Sequence, residues 1–204
     1  MKGRGAILLM LLGILFTSCD PDVAGEGIDL PAMEFDFRVS PDTAYLKVGD
    51  TFTMHAAISS LLSNGVILTD GEGEIWFGMS KSENIPRTSE EDFSIPLNNI
   101  DYKIIIDVGG VKWIDNNQIF RLTYFPKEDS IIMSYKFVFL KKGLYQIGGF
   151  QSSFYEGTKG KTRANAHFDV INPHWNEFWQ VTGSPAPTPN DYYYYNHYLI
   201  AVTE

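Results

Sequence analysis

The sequence predicts an all-β protein whose short strands pack as an antiparallel sandwich. Phe52, Met54, Ala56 and Ile58 alternate with polar or small residues over 51–58, which is the period of two expected of a half-buried strand. Other runs of similar character fill residues 33–171, with little helical periodicity between them. Many short strands joined by turns, without helical crossovers, are typical of a sandwich.

The predicted strands follow one another with turn residues between them. They span 34–39, 51–58, 74–79, 103–108, 111–114, 118–125, 131–140, 144–150 and 164–171. Gly109 and Gly110 predict a tight hairpin between two of these strands, because both residues can adopt positive φ without strain. Residues 141–143 (Lys-Lys-Gly) join two more strands. The stretch 80–99 is rich in Ser, Glu, Asn and Pro, which predicts a surface excursion.

Two local patterns refine the predicted sandwich. Residues 39–41 (Val-Ser-Pro), followed by 46–52 (Leu-Lys-Val-Gly-Asp-Thr-Phe), resemble the edge strand and the start of the second strand in bacterial immunoglobulin-like modules. Residues 143–147 (Gly-Leu-Tyr-Gln-Ile) resemble the tyrosine corner of that fold. The resemblance implies an immunoglobulin-like β-sandwich over 33–172, in which Tyr145 turns its hydroxyl back to the chain. Because such sandwiches host many unrelated functions, it implies no particular activity.

The C-terminal residues 173–204 differ from the sandwich in composition. Asn172 and Pro173 form a good helix opening, and Trp175, Phe178 and Trp179 then fall on one helical face. Residues 192–195 and 197–202 are rich in aromatic and β-branched side chains, which predicts a terminal strand, with a short helix as the alternative. We expect this aromatic-rich extension to pack on the sandwich.

The first residues predict an export signal. Lys2 and Arg4 precede an unbroken apolar run of 11 residues, which is too short to span a bilayer core of about 30 Å as a helix. The single cysteine, Cys19, follows in the sequence Phe-Thr-Ser-Cys. This resembles the lipobox of bacterial lipoproteins, although Phe16 stands where the box usually has Leu. The resemblance implies a signal peptide at 1–18 and acylation of Cys19.

Residues 19–32 predict a lipidated acidic tether, because few of them can pack. The acidic residues after Cys19 resemble the export signal of surface-exposed lipoproteins in some Gram-negative anaerobes, although Pro21 interrupts them. We expect a lipid anchor in the outer membrane and display on the cell surface, with the periplasmic face as the alternative.

Composition and charge exclude several classes of protein. The 204 residues include 16 basic and 25 acidic side chains, a net charge of −9, whereas nucleic-acid binders need a basic face. A single cysteine excludes a disulfide scaffold, and an apolar fraction of 44% is too high for a disordered chain. Cleavage after residue 18 removes two basic and no acidic residues, so the mature chain carries −11 and is repelled by anionic lipids.

Catalytic motifs are missing from the sequence. It contains no Gly-x-Ser-x-Gly elbow, Walker loop, dinucleotide-binding glycine pattern or His-Glu-x-x-His motif. The four histidines, at 55, 167, 174 and 197, stand apart along the chain. We therefore expect no enzymatic activity and no cofactor.

One acidic pattern is a weak candidate for a metal site. Asp70, Glu72 and Glu74 alternate with glycines, and carboxylates on such a loop can turn their oxygens toward one calcium ion. Calcium needs six or more oxygen ligands. The preferred interpretation is therefore a polar turn that leads into a strand.

The aromatic extension is the candidate binding surface. Trp175, Trp179, Tyr192 and Tyr194 could form a platform on which sugar rings stack, as in surface glycan-binding lipoproteins. The alternative is that the tryptophans face the core, since an amphipathic stripe normally faces inward. Two functions therefore remain open. The first is an accessory module that binds extracellular glycan. The second is a structural or protein-interaction component, such as an adhesin, a fimbrial anchor or an envelope-complex subunit.

Overall fold

The computed structural model describes residues 30–83, 97, 100–114, 119–151, 153–170 and 196–204. The signal peptide, Cys19, most of the tether and the helix predicted from Asn172 lie outside these residues. No helix among the described residues is long and apolar enough to cross a membrane.

The described chain is built almost entirely of strands. They are β1 (Met33–Ser40), β2 (Tyr45–Lys47), β3 (Thr51–Ser59), β4 (Glu72–Ser82), β5 (Tyr102–Val108), β6 (Gly110–Ile114), β7 (Ile119–Tyr124), β8 (Pro126–Lys127), β9 (Ser130–Phe139), β10 (Gly143–Gln151), β11 (Ser153–Gly157), β12 (Gly160–Phe168) and β13 (His197–Thr203).

The larger sheet is arranged around β4. On one side β4 pairs with β7, which pairs in turn with β6. Along its other edge, β4 pairs with β11 at its start and with β10 from Trp76 onward. β13 flanks β10, and β12 flanks β11. β2 and β1 add parallel pairs to β13 and β12 respectively. The sheet is therefore mixed, whereas the sequence predicted antiparallel pairing.

The smaller sheet has the antiparallel order β1-β3-β9-β5, with β8 paired to the start of β9. β1 belongs to both sheets: residues 33–37 pair with β12, and residues 38–40 pair with β3. The peptide bond that follows, Ser40–Pro41, is cis. β1 thus closes one side of the sandwich.

Aromatic side chains from both sheets fill the core. The ring of Phe52 on the smaller sheet lies 5.1 Å from that of Tyr198 on the larger sheet, and Phe77 lies 6.0 Å from Phe137. Tilted contacts of this kind add to the free energy gained from burial. Strands such as β3 and β9 bury alternate residues. The predicted all-β, immunoglobulin-like sandwich is confirmed.

The strand predictions are confirmed with changes at their ends. All nine predicted runs coincide with strands, and the terminal strand predicted at 197–202 is β13, which lies between β2 and β10. The short strands β2, β8 and β11 were not predicted. β4 continues through Ser82, so the predicted excursion at 80–99 begins in a strand.

The hairpin predicted at Gly109 and Gly110 is wrong. β5 pairs with β9 in the smaller sheet, whereas β6 pairs with β7 in the larger sheet. Gly109 has a φ of 100° and turns the chain from one sheet to the other. A Cβ there would lie 2.6 Å from the Tyr135 hydroxyl, so this corner requires glycine for space as well as for φ.

The tyrosine corner is confirmed. The hydroxyl of Tyr145 donates to the backbone carbonyl of Lys141 at 2.8 Å, and Ile147 is fully buried two residues later. The same hydroxyl lies 3.3 Å from the carbonyl oxygen of Asp101. Tyr145 therefore links the turn before β10 to the start of β5.

Candidate functional site

The smaller sheet ends in an apolar edge strand. Among the described residues β5 pairs with β9 only. Ile105, Ile106 and Val108 are 38%, 45% and 45% exposed. Natural edge strands are usually protected by charges, prolines or bulges, because their unpaired N–H and C=O groups can accept another strand. β5 carries two charged residues, Lys103 and Asp107, and has a register irregularity between Ile106 and Val108. Its pairing with β9 is regular over Lys103–Ile106, and Ile104–Ile106 carries no charge. The segment 103–106 is therefore a candidate docking edge.

Ion pairs hold both ends of β5. At its start, Asp101 lies 3.4 Å from Lys81, and both side chains are buried. Near its end, Asp107 pairs with Lys136 of β9 at 2.7 Å. β5 is thus a fixed edge, and fixed edges bind strands at a lower entropic cost than flexible ones.

The outer face of the larger sheet carries a second candidate surface. A cleft of about 600 Å³ is lined by Trp76, Phe154, Gln151 and several charged side chains. Phe154 is 63% exposed, whereas Trp76 is half-buried. The guanidinium of Arg121 lies 4.6 Å from the Trp76 ring centroid. Because this cation covers Trp76, Phe154 is the ring that a ligand could reach in the cleft.

The carboxylates considered for calcium have other partners. Lys112 lies 2.7 Å from Glu72 and 3.3 Å from Glu74, and the hydrogen bonds that its ammonium donates to these two carboxylates raise the pKa of Lys112. Arg121 lies 2.9 Å from Glu74. Across the described ranges, no three His, Cys, Asp or Glu side chains gather closely enough to hold a metal ion.

Asp70 is held separately from the two glutamates. Its carboxylate accepts hydrogen bonds from the backbone N–H (3.3 Å) and the hydroxyl (2.9 Å) of Thr158. Its backbone carbonyl accepts a hydrogen bond from Tyr155. These contacts are those of a polar turn closed onto the β11–β12 connection.

The residues predicted to stack on sugar rings lie in the aromatic extension. Trp175, Trp179, Tyr192 and Tyr194 all lie outside the described residues. Among the described tyrosines, five are fully buried: Tyr124, Tyr135, Tyr145, Tyr155 and Tyr198. The exposed edge at β5 was missed because its run of isoleucines is equally typical of a buried strand.

Comparisons with known proteins find likenesses in structure only. No protein-family model and no curated protein matches the chain. A type II cohesin domain from the cellulosome of Acetivibrio cellulolyticus is similar over 68% of this chain and 92% of its own, with 12% identity and a TM-score of 0.31. The type II cohesin dyad from the adaptor ScaA scaffoldin of the same organism is similar over 67% and 46%, with 10% identity and a TM-score of 0.34. At this level the likeness assigns no partner or activity.

Proposed function

We propose that the chain is a non-enzymatic, lipid-anchored envelope module that binds a partner protein by strand addition at β5. The observation that carries the proposal is the exposed edge at 103–106, where Lys103 is followed by three isoleucines. An extended partner segment would gain backbone hydrogen bonds along this edge and contacts with isoleucine side chains. This corresponds to the structural or protein-interaction function considered from the sequence.

The anchor part of the proposal rests on the sequence. Acylated Cys19 would hold the protein at the outer membrane, and a flexible tether would place the sandwich above the lipid surface. The net charge of −11 expected after cleavage would keep the sandwich from adhering to anionic lipids. The docking edge would then be accessible to an envelope protein beside it.

Site-specific photo-crosslinking in intact cells tests the docking edge. A photoreactive residue at position 106 should give a discrete protein adduct. The same residue at position 154, an apolar site on the other sheet that is more exposed than position 106, is the control and should not give that adduct. Introducing Ile105→Lys should abolish the adduct at 106. No adduct at 106, or the same adduct at both positions, would contradict the proposal.

The anchor has an independent test. Wild-type protein should incorporate radiolabelled palmitate and sediment with outer membranes, and Cys19→Ala should do neither. Protease treatment of intact cells distinguishes surface display from the periplasmic face. If the wild-type protein incorporated no palmitate, the lipid anchor would be refuted, whereas the proposed docking edge would be unaffected.

Glycan binding is the second candidate function. It is favoured by the exposed Phe154 ring beside the carboxylates and the Gln151 amide that line the cleft, a combination that can stack on a sugar and bond its hydroxyls. Trp175, Trp179, Tyr192 and Tyr194 could extend such a platform. Affinity electrophoresis in gels that contain polysaccharides tests it: Phe154→Ala should remove any retardation, and Ile106→Lys should not. Equal migration in every gel would eliminate this candidate.

A further inference from the structure

The charges of β5 are arranged symmetrically about Ile105. Residues 103–107 read Lys-Ile-Ile-Ile-Asp, so a lysine and an aspartate stand two positions before and two positions after this isoleucine. Because side chains alternate between the two faces of a strand, these three residues share one face, and all three are exposed. Ile104 and Ile106 belong to the opposite face, on which Ile104 packs against the core.

Contacts with β9 fix the acidic end of this pattern. The ammonium of Lys136 lies 2.7 Å from the carboxylate of Asp107, and the hydroxyl of Ser134 lies 3.5 Å from the same carboxylate oxygen. Lys136 pairs with Ile105 in the sheet, so Asp107 stays on the face of Ile105 in spite of the register irregularity beside it. The side chain of Asp107 is 36% exposed, which leaves room for a second cation.

An antiparallel copy of β5 would complement these charges. When two copies pair about a two-fold axis at Ile105, Lys103 of each copy lies opposite Asp107 of the other. Each Asp107 carboxylate then lies between two ammonium groups, that of its own Lys136 and that of Lys103 from the second copy. Opposite charges across a sheet are stabilising, whereas in-register parallel pairing would bring like charges together, which is destabilising. The charges therefore favour one orientation and one register.

We propose that the partner bound at the β5 edge is a second copy of this chain, in a two-fold symmetric dimer formed by antiparallel pairing of residues 103–107. This inference rests on the proposed docking edge and names its partner. The dimer joins the smaller sheets of both copies into one continuous antiparallel sheet, because β5 ends the order β1-β3-β9-β5. The same surface of each copy is used, so the assembly closes at two copies.

The shared ladder of this dimer is short. Regular pairing of β5 ends at Ile106, and small interfaces are typical of weak, transient complexes. The proposed lipid anchor would offset this weakness, because two copies tethered to one membrane meet at a raised effective concentration. The dimer is therefore best tested on intact cells.

Cysteine crosslinking in intact cells tests the two-fold axis. Residues directly opposite each other in an antiparallel pair have Cα atoms about 4.5–5.5 Å apart, which a disulfide can bridge. Ile105→Cys in the full-length protein should therefore give a covalent dimer on mild oxidation. Ile132→Cys is the matched control, because Ile132 is 37% exposed against 38% for Ile105 but lies on β9. The unsubstituted chain, which retains Cys19, gives the background. Equal amounts of dimer from the two variants, or none from Ile105→Cys, would overturn the proposal.

A charge swap in chains that carry Ile105→Cys tests the register. Lys103→Glu places two acids opposite each other and Asp107→Lys two bases, so each variant alone should lose most of its dimer. Co-expression of the two variants with different tags should restore a mixed dimer, since each opposite pair then holds one acid and one base. Lys127→Glu, an exposed change on β8, should leave the dimer unchanged, and circular dichroism of each variant checks its folding. No mixed dimer beyond the level of the single variants would overturn the proposal.

The photo-crosslinked adduct at position 106 separates this inference from the docking edge on which it rests. An adduct with the mass of two copies supports both. An adduct with a different protein keeps the docking edge and overturns the second copy as its partner. No adduct would contradict both.

Discussion

The buried ion pair between Lys81 and Asp101 is predicted to be a main support of the β5 edge. Its side chains are only 8% and 7% exposed, and Lys81 Nζ lies 3.4 Å from Asp101 Oδ1. At that distance an effective dielectric constant of about 20 gives an attraction of about 5 kcal/mol. Removing one partner of a buried pair typically costs about 3–5 kcal/mol, because the other charge is left uncompensated.

The two single substitutions should not be equivalent. Lys81→Met leaves Asp101 near a second cation, since Lys141 lies 3.8 Å from the same carboxylate oxygen. Among the described residues Lys81 forms an ion pair with Asp101 alone, so Asp101→Asn leaves the buried ammonium unpaired. We therefore expect Asp101→Asn to lower the free energy of unfolding by about 3–5 kcal/mol and Lys81→Met to lower it less. The double variant should cost less than the sum of the single ones.

Urea unfolding followed by circular dichroism measures all three variants. Lys142→Met is the control, because Lys142 and Glu204 form an exposed pair at 2.7 Å that surface screening should make energetically negligible. Losses below about 1 kcal/mol in both single variants would show that the Lys81–Asp101 pair behaves as a surface contact. A larger loss for Lys81→Met than for Asp101→Asn would refute the role assigned to Lys141.

Three further predictions concern the corners and the tyrosines of the core. Tyr145→Phe should lower the free energy of unfolding in urea by about 1–3 kcal/mol, because the Lys141 carbonyl loses its hydrogen-bond donor. A free energy of unfolding equal to that of the wild type would contradict a stabilising role for the tyrosine corner. Gly109→Ala should lower the melting temperature more than Gly49→Ala. Both glycines have positive φ, but of the two only Gly109 has neighbours with which a Cβ would clash. Equal shifts in melting temperature would contradict the steric explanation. Burial raises the pKa of five of the 11 tyrosines well above the unfolded value of about 10, so the folded state keeps protons that the unfolded state loses and stability falls above about pH 10. The share of the tyrosinate absorbance that comes from these five side chains should appear only as circular dichroism is lost. Full ionisation of all tyrosines before the loss of circular dichroism would contradict the prediction. The five tyrosines are Tyr102, Tyr124, Tyr135, Tyr145 and Tyr198.

Local patterning was sufficient to predict most of the strands. The alternation at 51–58 predicted β3 because one face of that strand is buried in the core and the other is exposed. The tyrosine corner was also readable, since the hydroxyl of Tyr145 bonds to a residue four positions away. Features set by neighbours along the chain could therefore be predicted.

Features that depend on pairing between strands far apart in the sequence could not be predicted. Gly109 and Gly110 indicate positive φ, but a hairpin and a corner between sheets use the same residues. The pairing of β5 with β9 decides between them. β2 contains only three residues, too few to show a period. The edge position of β5 likewise depends on how the strands assemble into sheets.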